Sequence, residues 1–511
     1  MNNQGKRVHG CRYRLKKTLF AILSRYYLLF FVSFLTASLL FLSMCDRPEQ
    51  SKPANVVLLL IDDMGYGDLA ALGNPVLKTP GFDQLCKESA RFTNFAVSPS
   101  CAPTRAALMT GRHEFLVGVT HTQAPMNYLD PDAVTMANLF QNKGYKTGIF
   151  GKWHLGQTDQ YGPWFRGFDQ TLTVPDDSQN SHFDPVMLHN REMQKFHGYR
   201  EDILFREAMK FMAANRDSGF FCYIPTYSPH APQKAPQEYC EPYEGYLNPE
   251  RPDGVYSAGF FGQVANVDEN LGKLLAFLDS IGIADQTLVI AINDNGGTRG
   301  VDTYNSNMRG VKTTPWRGGT RAYSFWKWGE KFHPGDRDLM SGHIDVLPTL
   351  VDLFDLELTP GLKEQLQGNS LLPALENPSA EINEDRMQIT HIGRWNSPKD
   401  WGDHKYAGCS VRRGNYTLVR YEPCANPDCG TCVTARERGI DKKRPLYTCN
   451  SEHYILTTPG EWALFDIKSD PHQDKNIAKN HPQVVKEMST YYDAWWEDVG
   501  KAMTMNTSQK Y

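Results

Sequence analysis

The sequence predicts an α/β protein: a large mixed, mostly parallel sheet sandwiched by helices, followed by a smaller C-terminal α+β domain containing an antiparallel sheet. Three observations predict it. Short aliphatic runs, too apolar for half-exposed strands, alternate with longer stretches of helical period. Each run stops at a cluster of Asp, Asn, Lys or His, where α/β sheets gather ligands. Near residue 376 the pattern changes to short strand-like segments separated by turns. The chain has 511 residues, 41% hydrophobic and 22% charged, and its formal net charge of -4 supplies no global positive field. Disordered and fibrous classes are excluded, and so is a general nucleic-acid binder.

The first 45 residues form a segment apart. Lys6, Arg7, Arg12, Arg14, Lys16 and Lys17 stand without an acid, Arg25 follows, and Tyr26 to Cys45 carries no formal charge. A basic start before a long apolar run reads as an export signal. The run is also long enough to span a bilayer as a retained anchor, and Leu42-Ser43-Met44-Cys45 is similar to a lipoprotein cleavage box apart from Met44. All three readings place the rest of the chain outside the cytoplasm, in the periplasm, in the extracellular space or tethered to a membrane.

From residue 53 to 375 the elements of a catalytic domain follow in order. Asn55 to Ile61 (NVVLLLI) has the composition of a central strand covered on both faces, and it runs into Asp62-Asp63. Thr79 to Glu88 reads as a helix. Lys146 to Phe150 is a strand before Gly151-Lys152-Trp153-His154, Phe220 to Ile224 another before Ser228-Pro229-His230, and Thr287 to Ile292 a third before Asp294-Asn295. Asp202 to Asn215 and Gly262 to Ser280 supply covering helices. In the smaller domain, 376–511, Tyr406 to Tyr421 and Tyr454 to Ile467 read as short antiparallel strands. Pro482 to Val499 reads as a terminal helix with proline in its first turn.

Eleven cysteines fit an exported chain. Cys11 and Cys45 belong to the leader, and Cys86 and Cys222 lie in apolar surroundings where a buried thiol is inert. Cys424, Cys429, Cys432 and Cys449 make a Cys-rich loop over 424–449. A disulfide-stapled loop is expected there, with zinc as the alternative, because only Cys429 and Cys432 have the spacing of a metal knuckle.

The candidate chemistry centres on Cys101-Ala102-Pro103-Thr104-Arg105. Asp62-Asp63-x-Gly-x-Gly-Asp68 precedes it. Gly151-Lys152-Trp153-His154-Leu155-Gly156, Pro229-His230-Ala231-Pro232, Asp294-Asn295-Gly296-Gly297 and Arg309-Gly310-Val311-Lys312 follow. Asp62, Asp63, Asp294 and Asn295 are hard oxygen donors, which select Ca²⁺ or Mg²⁺ over zinc. Arg105, Lys152 and Lys312 are positive groups suited to an anionic ester. His154 and His230 have the pKa range of acid–base catalysts.

Together these motifs resemble the type I sulfatases of the alkaline-phosphatase superfamily, from about residue 54 to about residue 480. The resemblance implies an alkaline-phosphatase-like catalytic domain that hydrolyses a sulfate ester. It implies that a maturation enzyme oxidises Cys101 to Cα-formylglycine, whose hydrate attacks sulfur and later expels sulfate from a sulfoenzyme intermediate. One Ca²⁺ per chain would be held by Asp62, Asp63, Asp294, Asn295 and the modified Cys101. Arg105, Lys152 and Lys312 would surround the sulfuryl oxygens, His154 would be the base that lets the hydrate break down, and His230 would act on the leaving-group side. A further polar ligand is either Asp177 or Ser178. Arg317 stands where the family carries Glu, which reverses a charge near the site.

Two other readings accompany this one. The same fold and nucleophile serve phosphodiester and phosphonate monoester hydrolases. A non-catalytic sulfated-glycan-binding relative would keep the fold and lose ligands, whereas the candidate set here is complete. The expected substrate is a sulfated carbohydrate, with Trp164, Trp316, Tyr161 and Trp395 as sugar-stacking candidates. His113, His121, His182 and His391 carry no motif and read as structural or substrate-lining.

Overall fold

Asn55–Ile61 forms the expected first strand, β1, and every residue in it is buried. Val56, Leu58 and Leu60 enter one hydrophobic core, while Val57, Leu59 and Ile61 enter another on the opposite face. That is why the run is uniformly aliphatic rather than alternating. The computed structural model describes residues 54–158, 160–175, 178, 181–246, 255–380, 385–426, 429 and 455–506, with positions 20 and 26. The leader reading, Asp177, Cys432 and Cys449 lie outside the described residues.

The large sheet continues with β2 (Ala90–Ala96), β3 (Lys146–Phe150), β4 (Gln170–Thr173), β5 (Val186–His189) and β6 (Glu192–Lys195). It is completed by β7 (Phe220–Pro225), β8 (Thr287–Asn293), β9 (Arg321–Ala322), β10 (Ser324–Lys327) and β11 (Gly335–Gly342). The order is β11-β2-β10-β8-β1-β7-β3-β4-β5-β6, with β9 paired to β2. Among the described residues only β5, β9 and β10 run against the other strands, so the sheet is mixed and mostly parallel.

Helices cover both faces. Cys101–Thr110, Met136–Asn142 and Val346–Phe354 lie over one core. Pro80–Lys87, Arg200–Asn215 and Val255–Ser280 lie over the other. Arg200–Asn215 begins two residues before the stretch that periodicity marks, and Val255–Ser280 seven.

A second sheet, β12-β13-β14-β15, is antiparallel throughout. Its strands are Gln388–His391, Ala407–Arg413, Tyr416–Tyr421 and Ala463–Asp466. The terminal helix, Pro482–Asn506, lays Met488, Tyr492, Trp495, Trp496, Val499 and Met503 against Ile389, Val411, Leu418 and Leu464. It runs beyond Val499 because Met503 continues that helical stripe. Among the described residues no helix is long and apolar enough to cross a membrane.

Candidate active site

β8, β1, β7 and β3 are neighbouring parallel strands, so the residues that follow them share one edge. Asp62-Asp63 follow β1, Asp294-Asn295 follow β8, His230 lies in the loop after β7, and Lys152 stands just beyond β3. Gly151 makes the turn that delivers Lys152: its φ is +141°, and a Cβ there would meet the Pro225 carbonyl oxygen at 1.8 Å. Gly296 is similarly confined, since its Cβ would lie 2.0 Å from the Gly318 carbonyl oxygen.

Cys101 opens helix Cys101–Thr110 after the extended Ser100. One turn on, Arg105 is fully buried. Its Nη2 lies 2.8 Å from Asp294 Oδ2 and 3.5 Å from Asp62 Oδ1, and its Nη1 donates to the Lys152 carbonyl at 2.8 Å. Lys152 Nζ donates to Asp62 Oδ2 at 2.7 Å. Lys312 Nζ pairs with Asp63 Oδ1 and lies 3.9 Å from Cys101 Sγ. Asn295 Nδ2 donates to Asp63 Oδ1 at 3.0 Å, and the Asp63 N–H donates to Asp294 Oδ1 at 3.1 Å. His230 Nε2 stands 3.6 Å from Asp63 Oδ2.

The electrostatics follow from crowding. Burial pushes the Asp62 and Asp63 carboxyls up, but Lys152 beside Asp62 and Lys312 beside Asp63, each joined by His230, hold both below the usual range. Asp294 goes the other way, raised by burial and by the Asp62 charge, which Arg105 offsets in part. Burial likewise opposes the ammonium groups of Lys152 and Lys312, yet Asp62 and Asp63 respectively raise them. Burial pushes the Cys101 thiol up, and Lys152 and Lys312 more than reverse it.

Among the described residues, Asp62 Oδ1 and Asn295 Oδ1 are buried without a hydrogen-bond partner. One donor atom each from Asp62, Cys101 and Asp294 lies within 4.8 Å of the others. Hard oxygens that receive no hydrogen, beside further carboxylates, fit a divalent cation such as Ca²⁺.

The two histidines present opposite ring edges. A carbonyl can only accept, so His154 Nε2–H donates to the Thr122 carbonyl at 3.0 Å and Nδ1 is the basic nitrogen of the neutral ring. In His230, Nδ1–H donates to the Ala231 carbonyl at 2.7 Å, which turns Nε2 toward Asp63. Asp63, His154 and Thr313 adopt left-handed backbone at φ +65°, +62° and +70°, a strain that gathers at functional sites.

A neighbouring buried group went unread in the sequence. Ser98 Oγ donates to Glu114 Oε1 at 2.6 Å, and His343 Nε2 lies 3.1 Å from Ser98 Oγ. The Ser98 carbonyl accepts from Thr104 Oγ1 at 3.1 Å, so this group steadies the first turn of the Cys101 helix. Its signal was the one used elsewhere: His343 directly follows β11, which runs parallel to β2 and in the same sense as β1.

Most sugar-stacking candidates prove to be core. Trp316 and Trp395 are 1% and 0% exposed and Tyr161 is 7% exposed, which leaves half-buried Trp164, with the Arg191 guanidinium over its ring. His113, His121, His182 and His391 are all buried. Ser178 donates its N–H to the Pro175 carbonyl. The reversed charge, Arg317, bonds through its N–H to Gln473 Oε1 and through Nη1 to the Ile467 carbonyl. With Arg321 and Arg412 it lines a narrow cavity against the small sheet. Burial, then those two guanidiniums, press its pKa down to about 9.

The family profile described as Sulfatase matches residues 54–356. The chain belongs to the sulfatase family. This sulfatase is therefore a sulfuric ester hydrolase, with the alkaline-phosphatase-like fold. It is 30% identical over 370 residues to N-acetylgalactosamine-6-sulfatase of Homo sapiens, covering 63% of this chain and 66% of the relative. Against the N-acetylgalactosamine-6-O-sulfatase of Bacteroides thetaiotaomicron it is 24% identical over 527 residues, covering 87% of this chain and 93% of the relative. The crystal structure of Ps i-CgsB in complex with k-i-k-neocarrahexaose has a TM-score of 0.71 at 23% identity, covering 88% of this chain and 93% of that one. The phosphonate monoester hydrolase of Agrobacterium radiobacter has a TM-score of 0.60 at 17% identity, covering 87% and 96%. At these identities the structural likenesses show the fold.

Proposed function

We propose that this sulfatase hydrolyses sulfate esters of a carbohydrate outside the cytoplasm, through a formylglycine formed from Cys101 by a maturation enzyme. The carrying observation is the place of Cys101: buried at a helix start, 3.9 Å from Lys312 Nζ and beside the donor atoms of Asp62 and Asp294. Its Sγ marks where the hydrated aldehyde would stand. Ca²⁺ bound by Asp62, Asp63, Asp294 and Asn295 would supply Lewis acidity to the nucleophile and to a sulfuryl oxygen.

The residues then divide the work. One hydrate oxygen loses its proton to solvent and forms a bond to sulfur, the bond from sulfur to the alcohol oxygen breaks, and His230 protonates the departing alcohol. His154 Nδ1 takes the proton of the second hydrate oxygen, the aldehyde C=O reforms, sulfate leaves, and water restores the hydrate. An ordinary serine would stop at a stable sulfate ester, because it has no second oxygen to expel the group. Lys312, with its side chain 13% exposed, meets the sulfuryl charge together with Arg105 and Lys152, which also hold Asp294 and Asp62 in place.

The carbohydrate reading is supported by the names of the human and bacterial relatives, and export by the basic and apolar leader. Mass spectrometry of the Cys101 peptide, from a host with a maturation enzyme, is expected to show formylglycine. A fully active protein that keeps the thiol would overturn the mechanism. The fold shared with a phosphonate monoester hydrolase makes that activity the second reading. Turnover of an aryl sulfate well above that of an aryl phosphonate monoester or phosphodiester decides between them.

A further inference from the structure

The small sheet holds a second cluster of metal-binding side chains, far in sequence from the catalytic motifs. His404 ends the 3₁₀ segment Pro398–His404, just before β13, while Cys424 and Cys429 follow β14. The Ala425 N–H donates to the Asp403 carbonyl at 2.9 Å, which ties the two segments together. His404, Cys424 and Cys429 each place a ligand atom within 4.8 Å of the others. Their exposures are 3%, 5% and 9%, so the donors face inward.

The imidazole is the telling member. Among the described residues His404 Nδ1 is buried without a hydrogen-bond partner and Nε2 meets Cys429 Sγ at 3.9 Å, too long and too soft to satisfy a ring nitrogen. A buried imidazole surrounded by thiols calls for a partner that binds nitrogen and sulfur together. Zinc bond lengths of about 2.0–2.3 Å at a tetrahedral angle separate ligand atoms by about 3.5–3.8 Å. The observed spacing needs only a small contraction to reach that. A Cys424–Cys429 disulfide would use neither the imidazole nor its orientation.

We propose that His404, Cys424 and Cys429 bind a structural Zn²⁺ that fastens the segment after β14 to the one before β13. The donor set of two thiolates and one imidazole suits zinc and disfavours Ca²⁺ or Mg²⁺, so this site and the oxygen-rich catalytic one select different metals. Binding expels one proton from each thiol, takes three of the four tetrahedral positions from the described residues, and adds its free energy to folding of the small sheet.

The test uses the full chain, purified without chelator in zinc-supplemented medium, with metal content read by plasma mass spectrometry. One zinc per chain is expected, lost in His404→Ala and in Cys429→Ser. It is retained in His404→Cys, which replaces one zinc ligand by another. A strong chelator should lower the melting temperature of the wild-type protein and leave that of His404→Ala unmoved. If the alanine variant fails to fold, the wild-type protein still decides. Absence of zinc overturns the site, as does a non-reduced Cys424–Cys429 peptide two hydrogens lighter than the dithiol. Zinc that persists in both loss variants overturns it equally.

Discussion

The carboxyl edge of the large sheet and the small sheet with its terminal helix are both deeply buried, and they are built by opposite means. At the edge, Asp62, Asp63, Asp294, Arg105 and Lys152 are almost wholly removed from water, and among the described residues Asp62 and Asn295 keep oxygens without a hydrogen-bond partner. Around the terminal helix the buried surface is Trp395, Tyr492, Trp496, Val411, Leu418 and Leu464. Burying charge opposes folding unless every partner is in place, whereas burying indole and aliphatic side chains drives it. The first region is kept for what it can bind and the second for what it stabilises, so the two should fail differently when cut.

The largest effect is expected at the edge. Asp294→Ala should reduce aryl sulfate hydrolysis to background and remove one bound Ca²⁺ per chain, because it strips a hard ligand and the partner of Arg105 together. Full activity of that variant in the presence of chelator would remove the cation from the reading.

The two histidines sharpen the edge further, each variant losing about 10²–10⁴-fold in turnover. With His154→Ala a good phenol leaving group should appear as one rapid equivalent, followed by a stall at the sulfated enzyme. With His230→Ala there should be no burst, and the loss should grow with the basicity of the leaving alcohol. Rapid quench showing the reverse pattern would exchange their roles.

In the small sheet, Trp496→Ala should destabilise the protein by about 3–5 kcal/mol in urea titration. Its kcat, corrected for the folded fraction, should stay near wild type. A fall in kcat as large as that of the histidine variants would show that the two regions are not separable.

Glu114 tests the boundary between them, since its group steadies the Cys101 helix without a place in the reaction. Burial raises its carboxyl, but His113 and His343 with the Ser98 hydroxyl outweigh that and bring it down to about 2. A depressed carboxyl stabilises the fold above its unfolded pKa and loses that contribution as pH falls through the folded value. Between about pH 4.5 and pH 2 the wild-type protein should therefore lose on the order of 3 kcal/mol from this residue. The urea midpoint of Glu114→Gln should be flatter across that window, and an unchanged slope would assign the acid sensitivity elsewhere.

Legibility in the sequence divided along the same line. The aliphatic strands and the polar residues after them could be read because a doubly covered parallel strand has few ways to look. β1 and β3 lie where composition put them, and the other central strands differ by one residue. Aromatic candidates were harder. Trp316 and Trp395 carry no local sign of burial, and only the packing of the small sheet shows that they are core. Ser98, Glu114 and His343 went unread because they come together from three separate segments.

By itself, the sequence determined the α/β class, the strand ends that bear chemistry and the sulfatase motifs, since these depend on local composition and spacing. The tertiary structure alone decided which charges pair. Arg105 meets Asp294 across 189 residues and Lys312 meets Asp63 across 249, distances over which no periodicity carries information. It also sent Arg317 toward the segment after β15 and brought His404 to Cys424 and Cys429. The physical reason is common to all of these: hydrophobic pattern reports whether a residue is buried, while the partner that a buried charge or donor finds depends on which strands become neighbours in the sheet.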